Sequence, residues 1–232
     1  MEQLLQEGLA KLGLPTDGIP ALVRYAEALV EKNKVMNLTA ITEPADIATL
    51  HFLDSAALLT LADFKNKKVA DIGTGAGFPG MPLRIVEPSM DLTLLDSLNK
   101  RIGFLQEVCD ALGLDHTRCV HGRAEEYARD HREKFDYATS RAVAALNILC
   151  ELALPMVKVG GAFLAMKSVD SDEELRQAKS AIAQLGGTVE DVRDYTIPGT
   201  DICHRLVIIR KIKPTPSSFP RAFARIKKNP LI

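Results

Sequence analysis

A glycine-rich segment carries the clearest chemical signal in this chain. Residues 69–80 read Val-Ala-Asp-Ile-Gly-Thr-Gly-Ala-Gly-Phe-Pro-Gly. The apolar residues before Gly73 predict a buried strand, and the residues from Pro79 onward predict a helix, since proline is tolerated in a first helical turn. Glycines at such a turn let a ligand touch the backbone, and a helix start offers unpaired N–H groups. The segment therefore predicts a cradle for a nucleoside cofactor.

An acidic residue stands where such a cofactor needs one. A second apolar run, Leu92-Thr93-Leu94-Leu95, ends on Asp96. A nucleoside-binding α/β domain places the carboxylate that binds the ribose hydroxyls about 20 residues after its glycine loop. The alternative, in which the glycines only form a tight turn, leaves the position of Asp96 without an explanation.

Two kinds of cofactor fit the glycines. Gly75, Gly77 and Gly80 also satisfy the G-x-G-x-x-G pattern of nicotinamide and flavin sites. Asp71, just before the first glycine, is expected at the mouth of the cleft. There a pyrophosphate would repel its charge, whereas the ammonium group of a methionine moiety would attract it. The pattern thus favours S-adenosylmethionine over a dinucleotide.

Length and composition limit the class of protein. The 232 residues, 47% of them hydrophobic, suffice for one α/β domain with a short extension. The four cysteines form no Cys-x-x-Cys pair, which predicts reduced thiols, and the five histidines lack metal-ligand spacing, so no metal is expected. The sequence shows no signal-peptide core and no apolar run of the roughly 18 residues that a membrane span needs. A cytoplasmic protein without a membrane partner is expected.

Positive charge is concentrated in the C-terminal tail, residues 210–232. The net charge of the chain is −1, yet this tail holds seven basic residues and no acidic one, with Phe219 and Phe223 among them. Its prolines argue against a regular helix. An irregular basic segment with aromatic rings is typical of RNA binding, because cations neutralise phosphates and rings stack on unpaired bases. A solvated tail without a partner is the alternative.

The apolar periodicity predicts the architecture. Three helices are expected within an N-terminal extension, residues 1–66, packed on a catalytic domain of residues 67–232. Alternating strands and helices then predict an α/β fold, with a mostly parallel, twisted sheet that carries helices on both faces and ends in a hairpin. Strands are predicted at 68–73, 91–96, 117–121, 135–140, 161–167, 188–196 and 203–210, and helices at 99–112, 123–130, 143–153 and 171–185.

The carboxyl ends of these strands predict one ligand cleft. The residues that follow the five parallel strands are 73–78, 96–98, 123–125, 140–142 and 167–168. Among them, Glu125 has a second interpretation, as an acidic residue that stabilises a helix start. Lys167 ends the fifth strand near the mouth of the cleft, where it is a candidate for an RNA phosphate contact.

Longer motifs carry a family resemblance. The specific blocks are Leu-Asp-Ser-Leu-Asn-Lys-Arg at 95–101 and Ser-Arg-Ala at 140–142; further blocks are Asn-Leu-Thr at 37–39, His-Phe-Leu-Asp-Ser at 51–55, Arg-Ala-Glu at 123–125, Phe-Pro-Arg at 219–221 and Lys-Asn-Pro-Leu at 228–231. On these motifs the chain, over nearly its whole length, resembles the small-subunit ribosomal RNA guanine-N7 methyltransferase family G, also called glucose-inhibited division protein B.

The resemblance implies a Rossmann-like class I methyltransferase that uses S-adenosylmethionine. The acceptor would be N7 of one guanosine in 16S rRNA, as naked RNA or within the small ribosomal subunit. The predicted cofactor-binding residues are Gly73, Gly75, Phe78, Asp96, Ser97, Ala124, Glu125 and Arg141. The predicted RNA-binding residues are Lys167, Arg221, Lys227 and Lys228. The chain departs from the family at Ser168, where glycine is usual, and at Ala222-Phe223-Ala224, where a more basic stretch is common.

The sequence shows no evident catalytic base or nucleophile, and methylation of guanine N7 requires neither. N7 has a lone pair and no proton, so in-line methyl transfer needs alignment rather than a general base. No cysteine nucleophile for a pyrimidine ring is apparent, and residues 139–142, Thr-Ser-Arg-Ala, do not form the polar-Pro-Pro-aromatic motif of amine methylation. No catalytic acid or base is therefore predicted. Arg141 is expected to hold a carboxylate, a guanine O6 or a phosphate, with a structural salt bridge as the alternative.

Other interpretations stay open at this point. His51, Asp54 and Ser55 could border the base pocket or could satisfy buried polar groups where the extension docks. The main functional alternative is a nicotinamide-dependent oxidoreductase on a small substrate, and a further one is a noncatalytic RNA-binding module. The sequence implies no oligomeric state.

Overall fold

The computed structural model, which describes residues 1–141 and 143–232, is built around a seven-stranded sheet in the order β3-β2-β1-β4-β5-β7-β6. The strands are β1 (Lys68–Ile72), β2 (Asp91–Asp96), β3 (Thr117–His121), β4 (Phe135–Arg141), β5 (Val157–Ser168), β6 (Gly187–Thr196) and β7 (Cys203–Lys211). The first five are parallel, and β7 runs antiparallel to both β5 and β6. The predicted α/β fold with a mostly parallel sheet and a terminal hairpin is confirmed.

Helices cover both faces of this sheet, as predicted. They are α5 (Gly80–Val86), α6 (Asn99–Leu112), α7 (Ala124–Asp130), α8 (Leu146–Ala153) and α9 (Asp172–Gln184). Strand β5 shows why its sequence is almost continuously apolar: Leu164 and Met166 pack into the core on one face, and Phe163 and Ala165 pack into the core on the other. A strand that is buried on both sides has no solvent-facing side, so its apolar residues do not alternate with polar ones.

The N-terminal helices pack on one face of the sheet. Helix α1 spans Glu2–Lys11 and α2 spans Ile19–Met36; α2 contacts α5 and α6, and its Leu22 and Leu29 are buried in the core. This packing agrees with the amphipathic spacing seen in the sequence. The division of the chain at residue 66 stays a prediction.

The third predicted helix is not regular, which corrects the sequence-based expectation. Residues 44–60, called the composite helix below, form α3 (Pro44–Asp46), a π-helix (Ile47–Leu53), α4 (Asp54–Ala56) and a 3₁₀ turn (Ala57–Thr60). The apolar stripe could not reveal this break, since the same residues are buried in either geometry. A π-helix widens the turn and often lies at a functional site; here it includes His51 and precedes Asp54.

The tail contains a helix that its prolines had argued against. Helix α10 spans Phe223–Lys228, and the prolines flank it rather than interrupt it. Its Ile226 is fully buried, and the Arg221 guanidinium donates to both oxygens of buried Glu151 at 2.8 and 2.6 Å. Asn147 Nδ2 also donates to the Leu231 carbonyl at 2.9 Å. The tail is therefore docked on the sheet domain.

Candidate functional site

A cavity opens at the carboxyl ends of β1, β2 and β4. The strand order reverses between β1 and β4, which is where an open α/β sheet binds its ligands. The cavity measures about 500 Å³, and it is lined by six of the eight predicted cofactor residues: Gly73, Gly75, Phe78, Asp96, Ser97 and Arg141. The other two, Ala124 and Glu125, line a smaller cavity of about 190 Å³ that shares Gly73, Asp96 and Ser97. All eight thus lie in one region.

The glycine loop exposes its backbone to the larger cavity. Gly73 and Gly75 have φ angles of 65° and 62°, in the left-handed region that favours glycine. A Cβ added at Gly75 would find no heavy atom nearer than the Gly73 carbonyl oxygen, at 3.9 Å. A side chain at this position would therefore extend into the cavity, and glycine leaves that space to a ligand.

Asp71 does not face the cavity, which corrects the expectation that it meets the methionine ammonium group. Its carboxylate is fully buried beneath the glycine loop. Oδ2 accepts hydrogen bonds from Thr74 Oγ1 at 2.6 Å and from the Gly80 N–H at 2.9 Å, while Oδ1 accepts one from Thr139 Oγ1 at 3.4 Å. Burial raises the pKa of Asp71 to about 6, although these hydrogen bonds oppose the rise. Asp71 therefore shapes the loop from below rather than contacting a cofactor.

Asp96 lies at the edge of both cavities and still has accepting capacity. Its oxygens accept hydrogen bonds from the backbone N–H of Gly75 and of Leu98, both at 2.9 Å, and from Arg101 Nη1 at 3.3 Å. An ionised carboxylate offers about four lone-pair directions, so one remains for a hydroxyl group. This geometry is compatible with the predicted ribose contact, and it also ties the glycine loop to the end of β2.

Arg141 sits in a network that joins distant segments. Its Nη1 donates to Asp54 Oδ2 at 3.0 Å and to the Leu50 carbonyl at 3.1 Å, and its Nη2 donates to His51 Nδ1 at 2.9 Å. The guanidinium also lies 4.9 Å from the Phe78 ring centroid. The composite helix therefore fixes the orientation of Arg141 at the mouth of the larger cavity.

The contact with Arg141 determines the tautomer of His51. His51 Nδ1 lies 2.9 Å from Arg141 Nη2 and 3.2 Å from the Leu50 carbonyl oxygen. Because a guanidinium has only donors, the shorter contact requires Nδ1 to accept, which places the ring proton on Nε2, from where it is donated to Thr39 Oγ1 at 2.9 Å. Burial, together with the positive charge of Arg141, lowers the pKa of His51 to about 4. The ring stacks on Phe78 with centroids 4.2 Å apart. His51 is thus neutral, and both of its nitrogens are occupied.

Asp54 gathers three donors around one buried carboxylate. Besides Arg141, it accepts hydrogen bonds at Oδ1 from the Tyr195 hydroxyl and from His204 Nδ1, both at 2.8 Å. The hydrogen bond to Asp54 is the main cause that raises the pKa of His204, and burial is the main cause that raises the pKa of Tyr195. Ser55, in contrast, only donates to the His51 carbonyl within its own helix, at 2.6 Å.

The sequence-based reasoning missed Tyr195 and His204. They are directly opposite each other in the β6–β7 hairpin. A tyrosine opposite a histidine in a predicted hairpin could have indicated a polar cluster, but their partner Asp54 is about 150 positions away in the chain.

The predicted site block 140–142 is described only in part: Ser140 Oγ donates to the Ile72 carbonyl at 3.1 Å, and Ala142 lies outside the described residues.

The four predicted RNA-binding residues differ in how accessible their charged groups are. Lys167 is mostly buried, and its ammonium donates to Glu174 at 2.6 Å and to the Ala144 carbonyl at 2.9 Å. Arg221 is engaged by Glu151, as described above. Lys227 and Lys228 are exposed on α10. A phosphate contact is therefore geometrically open to the two lysines of α10, whereas Lys167 and Arg221 hold internal partners.

The described residues, 1–141 and 143–232, include neither a metal-binding cluster nor a membrane-spanning helix. No group of three histidine, cysteine or acidic residues could hold a metal ion. Within the same residues, no helix is long and apolar enough to cross a membrane.

Comparison with known proteins gives a consistent result. A family model described as rRNA small subunit methyltransferase G matches residues 18–203. The ribosomal RNA small subunit methyltransferase G of Alkaliphilus metalliredigens is 46% identical over 99% of this chain and 98% of its own length. The protein of the same name from Clostridium perfringens is 49% identical over 89% of this chain and 88% of its own.

Solved structures agree on the fold. TrmN from Thermus thermophilus superposes with a TM-score of 0.53 at 22% identity, covering 68% of this chain and 48% of that one. TYW2 from M. jannaschii, solved in complex with AdoMet, superposes with a TM-score of 0.56 at 11% identity, covering 68% of this chain and 75% of its own. At such identities the likeness concerns the fold alone.

The raised pKa of Asp71 predicts a pH-dependent stability. Below pH 3.8, the ordinary value, the carboxyl is protonated in both the folded and the unfolded chain; between pH 3.8 and about 6 only the unfolded chain ionises it. Stability should therefore be lost as pH rises through this range, by on the order of 2–3 kcal/mol relative to Asp71→Asn. Urea unfolding of both proteins from pH 4 to 7 measures the difference. Asp170→Asn, at an exposed position, is the matched control. The same pH dependence of the free energy of unfolding in the wild type and in Asp71→Asn would contradict the prediction.

The Asp54 network predicts a titration change at a distant histidine. Asp54→Asn keeps the shape of the side chain but removes the charge that His204 faces. The pKa of His204 should fall toward its ordinary value, because its hydrogen bond to Asp54 is the main cause of the increase. NMR titration of the imidazole resonances measures this, with His116, which precedes β3 and does not contact Asp54, as an internal reference. An unchanged His204 titration would show that the two residues are not coupled in solution.

Proposed function

The chain belongs to the rRNA small subunit methyltransferase G family, and from this membership we propose the donor and the acceptor atom of its reaction. The enzyme is an rRNA methyltransferase. We propose that it transfers the methyl group of S-adenosylmethionine to N7 of one guanosine in 16S rRNA, as the family resemblance in the sequence implies. A ribosomal RNA acceptor also implies a cytoplasmic enzyme.

One observation supports this reaction above all others. The cavity at the reversal of strand order has a glycine loop and Asp96 on one side and Arg141 at its mouth. The donor set fits S-adenosylmethionine, because backbone N–H groups, a carboxylate with a free lone pair and apolar walls match its amino acid, ribose and base parts. The space that a Cβ at Gly75 would take supports the same conclusion.

The assignment of parts follows from this geometry. The backbone of Gly73 and Gly75 would hold the methionine part, and Asp96 the ribose hydroxyls. Ala124 and Glu125, in the smaller cavity, would enclose the base. When bound, the cofactor supplies a methyl group that its sulfonium charge already activates. The chain's own contribution is to align the acceptor with that group.

Arg141 is suited to bind the acceptor and unsuited to remove a proton. A guanidinium has five N–H donors, of which the network uses three, so two remain for the methionine carboxylate, a guanine O6 or a phosphate. It stays protonated at neutral pH. Neutral His51 has no free lone pair, because Nδ1 already accepts from Arg141. Neither Arg141 nor His51 can therefore accept a proton at the mouth of the cavity. Methylation of guanine N7 fits this arrangement, because N7 carries no proton to remove.

The oxidoreductase alternative receives no support from the two relatives described above, both of which are named as methyltransferases. The argument from Asp71 against a dinucleotide no longer applies, since Asp71 is buried beneath the loop. The preference for S-adenosylmethionine now depends on family membership and on the cavity.

Transfer of labelled methyl groups tests the proposed reaction. Purified enzyme is incubated with labelled S-adenosylmethionine and with either undermethylated small subunits or deproteinised 16S rRNA, and the product is mapped by N7-specific chain cleavage. Label at one guanine N7 is expected on at least one substrate. Label on a different atom, or no label despite intact cofactor binding, would refute the proposed acceptor.

Substitution of Arg141 tests its contact with the acceptor. Arg141→Ala should abolish methyl transfer, because its free donors face the cavity. Cofactor affinity, measured in parallel by calorimetry, then separates a contact with the acceptor from a contact with the methionine carboxylate. Arg141→Ala removes one hydrogen-bond donor from buried Asp54, which destabilises the fold. The double variant Arg141→Ala/Asp54→Asn also removes the buried charge, so any loss of methyl transfer that remains in it is due to the missing guanidinium rather than to instability. Exposed Arg176→Ala is the matched control. Turnover near the wild-type rate in Arg141→Ala would remove Arg141 from the site.

A further inference from the structure

The tail supplies one wall of the smaller cavity. Phe223 lines this space together with Asp96, Ser97 and residues 122–125. The other lining residues come from 72–152 of the described chain, so Phe223 reaches the cavity from a remote part of the sequence. It was expected to stack on RNA bases; instead its ring is half-buried against the protein.

Phe223 is held by the loop that follows β3. The Arg123 guanidinium lies 4.3 Å from the Phe223 ring centroid, and Arg123 Nε donates to Glu125 at 2.5 Å. A cation above an aromatic face is attracted by the ring quadrupole. Glu125, which is proposed above to enclose the base of the cofactor, is therefore linked through Arg123 to the tail.

Helix α10 presents different chemistry on its two faces. Phe223 and Ile226, three positions apart, face the protein. Arg225, Lys227 and Lys228 are exposed, and in the described part of the chain none of the three forms an ion pair with an acidic residue. Arg225 and Lys228, three positions apart, share the outer face of α10, whereas Lys227, four positions after Phe223, lies beside the face that lines the cavity.

We propose that α10 couples the two substrates of the enzyme. Its inner face, through Phe223, closes the base end of the cofactor cavity, and its outer cations bind phosphates of the RNA. RNA bound to the outer face holds α10 against the cavity and so raises cofactor affinity. By linkage, bound cofactor raises RNA affinity by the same factor. This inference rests on the proposed cofactor and RNA substrate.

Calorimetric binding of S-adenosylhomocysteine, without turnover, tests the inner face. Phe223→Ala should weaken this binding roughly tenfold in the absence of RNA, which is typical for loss of an aromatic wall. Phe223→Tyr should retain wild-type affinity, since it keeps the ring. Ile232→Ala, a truncation at an exposed tail position, is the matched control. Wild-type affinity in Phe223→Ala, with an unchanged melting temperature, would overturn the proposal.

The same titration with deproteinised 16S rRNA present tests the coupling. RNA should raise the affinity of the wild-type enzyme for S-adenosylhomocysteine, and the increase should vanish in Arg225→Gln/Lys228→Gln. The matched control is Arg176→Gln/Lys179→Gln, which removes the same two residue types at the same spacing from exposed positions of α9. No increase in the wild type, or an equal increase in the double variant, would overturn the proposal.

A positive control separates this inference from the proposed function. Asp96→Ala should weaken S-adenosylhomocysteine binding whether or not Phe223 takes part. Absence of any binding to the wild-type enzyme would refute the proposed cofactor itself. Binding that depends on Asp96 but not on Phe223 would refute only the role of α10.

Discussion

The buried carboxylate of Asp71 is the interaction on which the site depends. It accepts hydrogen bonds from Thr74 in the glycine loop, from the backbone at the start of α5, and from Thr139 on β4. One side chain therefore fixes the exit of β1, the loop and the neighbouring strand relative to one another. Burying a carboxylate is costly unless its oxygens are satisfied, and here every bond that offsets the cost also shapes the cradle. The glycine at position 80 is part of this arrangement, because a Cβ there would lie 2.8 Å from Asp71 Oδ2.

A second buried carboxylate accepts hydrogen bonds from distant segments at the mouth of the cavity. Asp54 on the composite helix gathers Arg141 from β4 and both Tyr195 and His204 from the hairpin. The N-terminal helices are thus more than a cover for the sheet. They also shape the cradle directly, since the Tyr25 hydroxyl donates to the Ala76 carbonyl within the glycine loop. Phe78 connects the two regions through its contacts with His51 and Arg141.

Much of the fold and part of the site could be predicted from the sequence. Apolar runs and periodicity locate strands and helices because they report burial, and the helix predicted at 99–112 has the bounds of α6. The glycines and Asp96 could be placed because strand ends share one edge. Periodicity does not report which way a charged side chain points, so Asp71 was expected in the cleft. It also does not reveal partners far apart in the chain, which is why Asp54 with His204 and Arg221 with Glu151 were not foreseen. The π-helix was not predicted either, because an ordinary α-helix over the same segment would bury the same residues.

The spread of the site along the chain has a consequence for biosynthesis. The region around the two cavities draws on Tyr25, the composite helix, four strand ends, the β6–β7 hairpin and Phe223. A nascent chain that has exposed only the parallel strands lacks the partners of Asp54 and the wall that Phe223 provides. Vectorial folding can therefore form the cradle early but cannot complete it until residue 223 has left the exit tunnel. The region around the two cavities is thus completed only when the segment that contains Phe223 has docked on the sheet domain.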